Sequence, residues 1–171
     1  MSCLHLHILA SGSKGNCALI EGPKGLVMID DGLSRRETLK RMGELGLSAD
    51  DIAAVLITHE HSDHVKGLEV WSKHWHGPLF ASRGTLSTKE SLASLPVEEF
   101  DPRDTLSIAG ITVQTYSTSH DVINPVGYRF DCCGDSIGFA TDTGELSDYA
   151  IDTLKDCRIL ALESNHDIAM L

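Results

Sequence analysis

Residues 58–64, with the sequence THEHSDH, carry the side chains in this chain that are best suited to chemistry. The segment places three imidazoles and the carboxylate of Asp63 within six positions. It directly follows the apolar run 52–57, which has the composition of a buried strand. Neutral imidazole and carboxylate are the ligands that zinc and similar divalent cations bind in proteins. The segment therefore predicts a metal site in a loop at a strand end.

The spacing within this segment separates its ligands into two pairs. His59 and His61 are two positions apart, so in an extended backbone their side chains point the same way and can share one ion. Asp63 and His64 follow at once and are placed to face a second ion a few ångströms away. A helical metalloprotease motif is excluded, because its second histidine would have to stand at position 63.

Two further candidate ligands follow other predicted strands. His120 comes after the run 111–116, and Asp142 lies in the segment ATDTG at positions 140–144. Three histidines on one ion leave a coordination position open for water, which is typical of catalytic sites. A carboxylate shared between two ions would hold them at roughly 3.5–4 Å. The alternatives are that the histidines are solvated on the surface and that Asp142 is a turn residue.

The elements that must position these residues alternate between strands and helices. The hydrophobic patterns predict strands at 4–9, 17–21, 26–30, 52–57, 78–81, 105–108, 111–116, 126–130, 136–140 and 158–162. Helices are predicted at 35–45, 65–75, 85–92 and 147–154, and Pro96 and Pro102 bracket a predicted loop. Polar residues at several strand ends favour α/β layers around a pair of sheets.

Taken together, these motifs resemble the metallo-β-lactamase superfamily. Residues 59–64 match its H-x-H-x-D-H signature. The other matching segments are 10–17, 27–32, 119–121, 140–144 and 162–167, and together they are most similar to the YycJ (WalJ) branch, bacterial relatives of ribonuclease Z. The resemblance covers nearly the whole chain.

The resemblance implies an αβ/βα sandwich of four layers with a two-metal site at one edge. By matching positions it assigns His59, His61 and His120 to metal 1, and Asp63, His64 and a bridging Asp142 to metal 2. It places Asp30 behind the histidines, where it would orient them by hydrogen bonds. The implied cofactors are two divalent ions, with zinc preferred and manganese or iron as alternatives.

One departure from the family concerns the C-terminal part. The family continues for about another third of its length and supplies a last histidine to metal 2. We therefore expect residues 1–171 to be one metallo-β-lactamase-like domain that is incomplete at its C-terminus, with metal 2 short of a ligand. His166 does not match that histidine by motif position, but it follows a predicted strand and is a candidate for lining the site.

The function implied is that of a hydrolase that uses a metal-bound hydroxide as its nucleophile, with Asp63 as the catalytic residue that orients it. The branch is associated with exonuclease action, so the expected substrate is DNA and the reaction phosphodiester hydrolysis. Two alternatives stay open. One is a hydrolase of small esters or thioesters with the same fold, and the other is a truncated half-domain that binds metal without turnover.

Composition limits the remaining possibilities. The formal net charge of −11 disfavours a broad nucleic-acid groove, because phosphate binding rests on Lys and Arg. The five cysteines form no C-x-x-C pair, which suits a reducing compartment. We see no leader peptide and no apolar run of membrane-spanning length, so we expect a cytoplasmic protein without a membrane partner. A dimer is one alternative for the oligomeric state, which the sequence leaves open.

Overall fold

The computed structural model describes residues 2–163 and arranges them around two β-sheets. The first sheet contains six strands: β1 (His5–Ala10), β2 (Cys17–Gly22), β3 (Gly25–Ile29), β4 (Ile52–Ile57), β5 (Leu79–Ser82) and β6 (Val97–Phe100). The second contains five: β7 (Thr105–Ile108), β8 (Ile111–Ser117), β9 (Val126–Cys132), β10 (Asp135–Ala140) and β11 (Ile159–Leu162). The helices are α1 (Arg35–Glu44), α2 (Ser62–Val65), α3 (Leu68–Ser72), α4 (Glu90–Ala93) and α5 (Asp148–Leu154).

Each sheet combines antiparallel and parallel pairing. In the first sheet the strands lie in chain order, with β1, β2 and β3 antiparallel and β3 through β6 parallel. In the second the order is β11-β10-β9-β8-β7, and only the β10–β11 pair is parallel. The carboxyl ends of parallel neighbours lie at the same edge of a sheet, so the loops that follow β3 and β4 meet there.

Local sequence explains the best-defined helix and the central strand. The hydroxyl of Ser34 caps α1 by accepting the backbone N–H of Glu37 at 3.3 Å, and Arg41 donates to the Glu37 carboxylate at 2.8 Å. Strand β4 is apolar along its whole length, as expected for a parallel strand covered on both faces. Both features match their predictions from sequence.

Three apolar clusters define the layers. One lies between the sheets and contains Leu56, Tyr128 and Phe130, all fully buried. A second fills the space between the first sheet and its helices around Met42 and Trp71. The third packs α5 on the second sheet through Tyr116, Ala140, Ala150 and Leu154. The order helix, sheet, sheet, helix confirms the predicted αβ/βα sandwich.

Three predicted elements were wrong in detail. The predicted helix at 85–92 is a 3₁₀ turn at Leu86–Thr88 followed, after an extended Lys89, by α4. The predicted helix at 65–75 begins earlier, at Ser62, and divides at Gly67 into α2 and α3. A Cβ at Gly67 would lie 2.0 Å from the backbone oxygen of Leu33, so the close approach at this point requires glycine. The predicted loop between the two prolines contains β6, a short edge strand whose exposed Glu98 and Glu99 hid its apolar pattern.

No helix in the part of the chain that the structure describes has the length and apolar character needed to cross a membrane. The candidate residue His166 lies outside the described residues.

Candidate metal centre

The predicted ligands converge at one edge of the sandwich. His59 and His61 follow β4, and His64 lies in α2 directly after them. His120 follows β8 and Asp142 follows β10, so both sheets contribute. A hydrogen bond from the backbone N–H of Val126 to the carbonyl of Thr58, 3.0 Å long, joins the two sheets beside these loops.

His59, His61 and His120 form the first group. One ring nitrogen of each lies within 4.8 Å of the other two. His61 Nδ1 and His120 Nε2 are 3.1 Å apart, and the ring of His59 packs edge-on against both of the others. His59 is buried, His120 is half-buried and His61 is exposed. The group is therefore open to solvent on one side and closed on the other.

His59, His64 and Asp142 form the second group, again with ligand atoms within 4.8 Å of one another. Oδ2 of Asp142 lies 2.9 Å from Nε2 of His64 and 3.8 Å from Nε2 of His59. Asp63 is adjacent, with its Oδ2 3.6 Å from Nε2 of His64. All six predicted ligands thus lie in one cluster, and His59 belongs to both groups.

Two buried atoms test whether this cluster suits a cation. Nε2 of His59 and Oδ2 of Asp142 are both buried without a hydrogen-bond partner among residues 2–163. Oδ2 of Asp142 does lie close to Nε2 of His64, but this contact lacks the alignment of a hydrogen bond. Leaving such atoms unpaired costs about 1–3 kcal/mol each. Both are electron-pair donors of the kind that bind divalent metals, so the donor set fits a cation between them.

The hydrogen bonds around Thr58 show which nitrogen of His59 carries the proton and which carries the lone pair that can bind a cation. The Thr58 hydroxyl donates its one hydrogen to Oδ2 of Asp30 at 2.8 Å. Nδ1 of His59, 3.0 Å from the same hydroxyl oxygen, must then carry a proton and donate it. The lone pair of the neutral imidazole is consequently on Nε2, which faces Asp142.

Asp30 occupies the position behind the histidines that the resemblance implied. Its carboxylate accepts hydrogen bonds from the backbone N–H of Thr58 and from Nδ1 of His64, both at 2.8 Å. Asp30 is almost fully buried and has a φ of 58°, a left-handed conformation that aspartate tolerates better than most residues. The same contacts orient His64 so that its Nε2 faces the cluster.

The electrostatics of the two groups differ. Burial, with the nearby His64, lowers the pKa of His59 to about 4, so its imidazole is neutral at pH 7. Burial also opposes a charge on His64, but the carboxylates of Asp30 and Asp142 outweigh it and raise the pKa of His64 to about 10. The His64 imidazole in turn holds the pKa of Asp142 below its usual range. His59 is therefore ready to bind a cation, whereas His64 must first release a proton.

Asn16 is a site residue that the sequence did not reveal. Its side-chain amide nitrogen lies 3.0 Å from Oδ2 of Asp63 and 3.0 Å from Nε2 of His64, and its side-chain oxygen accepts the N–H of Gly12 at 2.9 Å. The loop before β2 is thereby attached to α2. Asn16 stands 47 and 48 positions from these partners, so only its place in the family-like segment 10–17 hinted at its role.

Gly32 permits the approach of this loop, and its replacement by alanine is expected to disturb the site. A Cβ at position 32 would lie 1.7 Å from the carbonyl oxygen of Asp63 and 2.5 Å from the backbone nitrogen of Asn16. Because both obstacles are backbone atoms, we expect Gly32→Ala to lower the free energy of unfolding by about 1–3 kcal/mol, measured by urea denaturation.

Gly43→Ala is the matched control for this substitution. Gly43 lies in α1, and a Cβ at this position would meet no atom within 4 Å outside the backbone of its own helix. Alanine there should therefore be neutral or stabilising by roughly 0.5–1 kcal/mol. If Gly32→Ala unfolded at the same urea concentration as Gly43→Ala, the close packing of the backbone at Gly32 against Asn16 and Asp63 would be refuted.

Comparisons with known proteins identify the family of this chain. A family model described as "Beta-lactamase superfamily domain" matches residues 26–169. The chain is similar to the exodeoxyribonuclease YycJ of Bacillus anthracis, with 34% identity over 98% of this chain and 65% of that protein. It is also similar to the exodeoxyribonuclease WalJ of Streptococcus pneumoniae, with 32% identity over 96% of this chain and 63% of that protein. The chain thus spans slightly less than two thirds of the length of these relatives.

A solved structure shows the same fold. The metallo-β-lactamase MIM-2 superposes with a TM-score of 0.70 over 95% of this chain and 73% of that one, at 19% sequence identity. Identity at this level supports the fold alone. The match of the family model is broader evidence, because it includes both groups of the histidine cluster and most of both sheets. The chain therefore belongs to the metallo-β-lactamase superfamily.

Proposed function

We propose that this chain forms the metal-binding part of a phosphodiesterase that hydrolyses DNA from its ends. The observation that carries the proposal is the pair of unpartnered buried atoms, Nε2 of His59 and Oδ2 of Asp142, within a cluster of three further imidazoles. A cluster with no ligand to bind would leave the nitrogen of His59 buried without a partner in residues 2–163, and only the ion pair with His64 would compensate the Asp142 carboxylate.

We assign the first ion to His59, His61 and His120, and the second to Asp63, His64 and Asp142. The first assignment rests on the three imidazoles, whose ring nitrogens lie within 4.8 Å of one another. The second rests on the contacts of His64 with the carboxylates of Asp63 and Asp142. A divalent cation bound in such a site lowers the pKa of water and stabilises negative charge on a phosphoryl oxygen.

Other residues of the chain orient the ligands and determine which imidazole nitrogens carry protons. Asp30 holds the proton of His64 on Nδ1, which leaves Nε2 directed at the cluster. Thr58 does the same for His59 through its hydroxyl oxygen. Asp63, half-buried at the edge of the cluster and anchored by Asn16, is our candidate for the catalytic residue that orients the attacking water.

The choice of DNA as substrate rests on the relatives and on one cavity. Both similar proteins named above are exodeoxyribonucleases. An open cavity of about 570 Å³ adjoins the cluster, and its polar lining consists of His61, Ser62 and Lys89 together with the carboxylates of Glu60 and Asp121. Lys89 has no carboxylate within 4.0 Å in the described part of the chain, so its charge is available to a phosphate.

The acidic charge of the chain favours a second candidate, a hydrolase of small esters. With a net charge of −11, the surface as a whole repels a polyanion, whereas a small ester is unaffected. The two candidates differ in which bond is cleaved, so one set of substrates separates them.

The test is hydrolysis by the 171-residue chain supplied with Zn²⁺ or Mn²⁺. We expect end-labelled DNA to release mononucleotides and bis-p-nitrophenyl phosphate to be cleaved, both abolished by EDTA. The YycJ protein of Bacillus anthracis, assayed in parallel, verifies the conditions. Cleavage of p-nitrophenyl acetate without either phosphodiester would support the ester hydrolase instead. Metal binding without turnover of any substrate would leave a metal-binding half-domain and refute catalysis by this chain.

A further inference from the structure

The basic side chains that have no acidic partner are concentrated at one edge of the first sheet. The sequence contains 14 lysines and arginines. Half of them lie within 4.0 Å of a carboxylate, and the other half have no such partner within residues 2–163. Most of the second half lie in the loop between β1 and β2 and in the segments that follow β3, β4 and β5. We call this set the basic edge, and its members are Lys14, Arg35, Arg36, Lys66 and Lys89.

Contacts within the site place three lysines of the basic edge beside the predicted ligands. Lys66 follows His64 by two positions, and its ammonium group donates to the backbone carbonyl of Lys14. Lys89 lines the cavity that also contains His61. Lys14 and Lys66 are exposed and Lys89 is half-buried. Because a lysine side chain is long and flexible, all three ammonium groups can meet an anion that lies at the metal centre.

Most carboxylates of the same segments are buried. Asp30, Asp31 and Glu60 are between 0% and 9% exposed. Asp63 is half-buried and is a predicted ligand, so a bound divalent cation would offset its charge. The lysines and arginines of these segments therefore present the charge that a molecule approaching from solvent meets first.

The second sheet and helix α4 add some negative charge on one side. Glu90 is exposed and follows Lys89 directly, and the exposed Asp121 lines the same cavity as Lys89. Neither carboxylate lies within 4.0 Å of a basic group in the described part of the chain. The excess of positive charge is therefore largest around Lys14 and Lys66.

The opposite edge of the first sheet has the reverse character. Strand β2 leads away from the histidines, and its six residues span about 20 Å to the turn that contains Lys24. Glu44, Asp50 and Asp51 are exposed at that edge, between α1 and β4. The net charge of −11 is thus distributed unevenly, with most of the unpaired basic groups on the side of the metal centre.

We propose that the basic edge binds the phosphodiester backbone of a DNA strand and holds that strand at the metal centre, an inference that rests on the proposed function. A phosphate that contacts a lysine releases its condensed counterions, which favours binding and makes the affinity depend on salt. A local excess of positive charge also directs the approach of a polyanion. An acidic chain can thus bind DNA at this edge while the rest of its surface repels it.

The test is fluorescence anisotropy with a labelled single strand of phosphorothioate DNA in the presence of Zn²⁺. This backbone keeps its negative charge and resists hydrolysis, so binding is measured without cleavage. We expect Lys14→Gln, Lys66→Gln and Lys89→Gln each to weaken binding about 5-fold at about 0.1 M salt, and to reduce the slope of log K against log salt by about 0.7. The triple variant should lose roughly 100-fold in affinity.

Lys24→Gln is the matched control, because it removes the same charge from an exposed lysine at the opposite edge. It should change binding less than about 2-fold, since a separation of about 20 Å exceeds the Debye length of about 10 Å at 0.1 M salt. If the unaltered chain did not bind the strand, or if the triple variant bound it as well as Lys24→Gln, the proposal would be overturned. Lysine-dependent binding by a chain that cleaves no phosphodiester would support the basic edge and refute the proposed function alone.

Discussion

Replacing His59 by alanine is expected to weaken zinc binding at the first group at least about 100-fold, because it removes a ligand rather than an outer-shell partner. The fold itself should change little in the absence of metal, since the imidazole contributes one hydrogen bond and one unpaired buried nitrogen. The effect is therefore expected in the stabilisation by zinc. At a zinc concentration 100 times its dissociation constant, the unaltered chain should gain about 2.7 kcal/mol of unfolding free energy, and the variant about 0.4 kcal/mol.

The measurement is urea unfolding with and without zinc, combined with the zinc content of the dialysed protein. His74→Ala serves as the control, because His74 is exposed and bonds only to the carbonyl of Val70 in the described structure. Equal stabilisation of all three proteins by zinc would mean that the ion binds elsewhere, and the assignment of His59 would fail.

Replacing Asp30 by alanine is expected to have the largest effect on stability of any substitution near the site. Its carboxylate accepts two hydrogen bonds from Thr58 and one from His64, all at 2.8 Å and all buried. Removing one partner of a buried charged pair costs about 3–5 kcal/mol. Alanine at a φ of 58° adds strain, because it lacks the short polar side chain that lets aspartate tolerate this left-handed conformation. Metal affinity should fall as well, since His64 loses the group that orients it.

Asp30→Asn removes the negative charge of residue 30 but keeps the shape of its side chain, so it shows which of the two matters. Asparagine tolerates the same backbone conformation and keeps one acceptor for Thr58, so its loss of unfolding free energy in metal-free protein should be clearly smaller. A loss below about 1 kcal/mol for Asp30→Ala would contradict the view that this carboxylate organises the loop.

The ligand cluster was largely predictable because its signals are local. His59, His61, Asp63 and His64 follow one apolar strand, and the side-chain alternation of an extended chain already pairs the first two. His120 and Asp142 were predicted from their positions after strands. The structure brings all six together, while their role as ligands stays a prediction that the experiments above test.

The features that were missed depend on contacts between distant parts of the chain. Asn16 meets α2 only because β2 and β4 lie in the same sheet, and a side-chain amide carries no periodic signal. Strand β6 was missed because pairing with β5 stabilises it despite two charged residues. The division at Gly67 results from a backbone approach to Leu33 in the loop after β3, which has no counterpart in helix propensity.

Anomalous diffraction from crystals of this chain grown with zinc tests the central claim most directly. We predict a strong peak bonded to His59, His61 and His120, at about 2.0–2.1 Å from each ligating nitrogen. A weaker second peak beside His64 and Asp142 would agree with the need to displace a proton from His64. Zinc-replete crystals with no peak at the three histidines would contradict the assignment of this cluster as a metal centre.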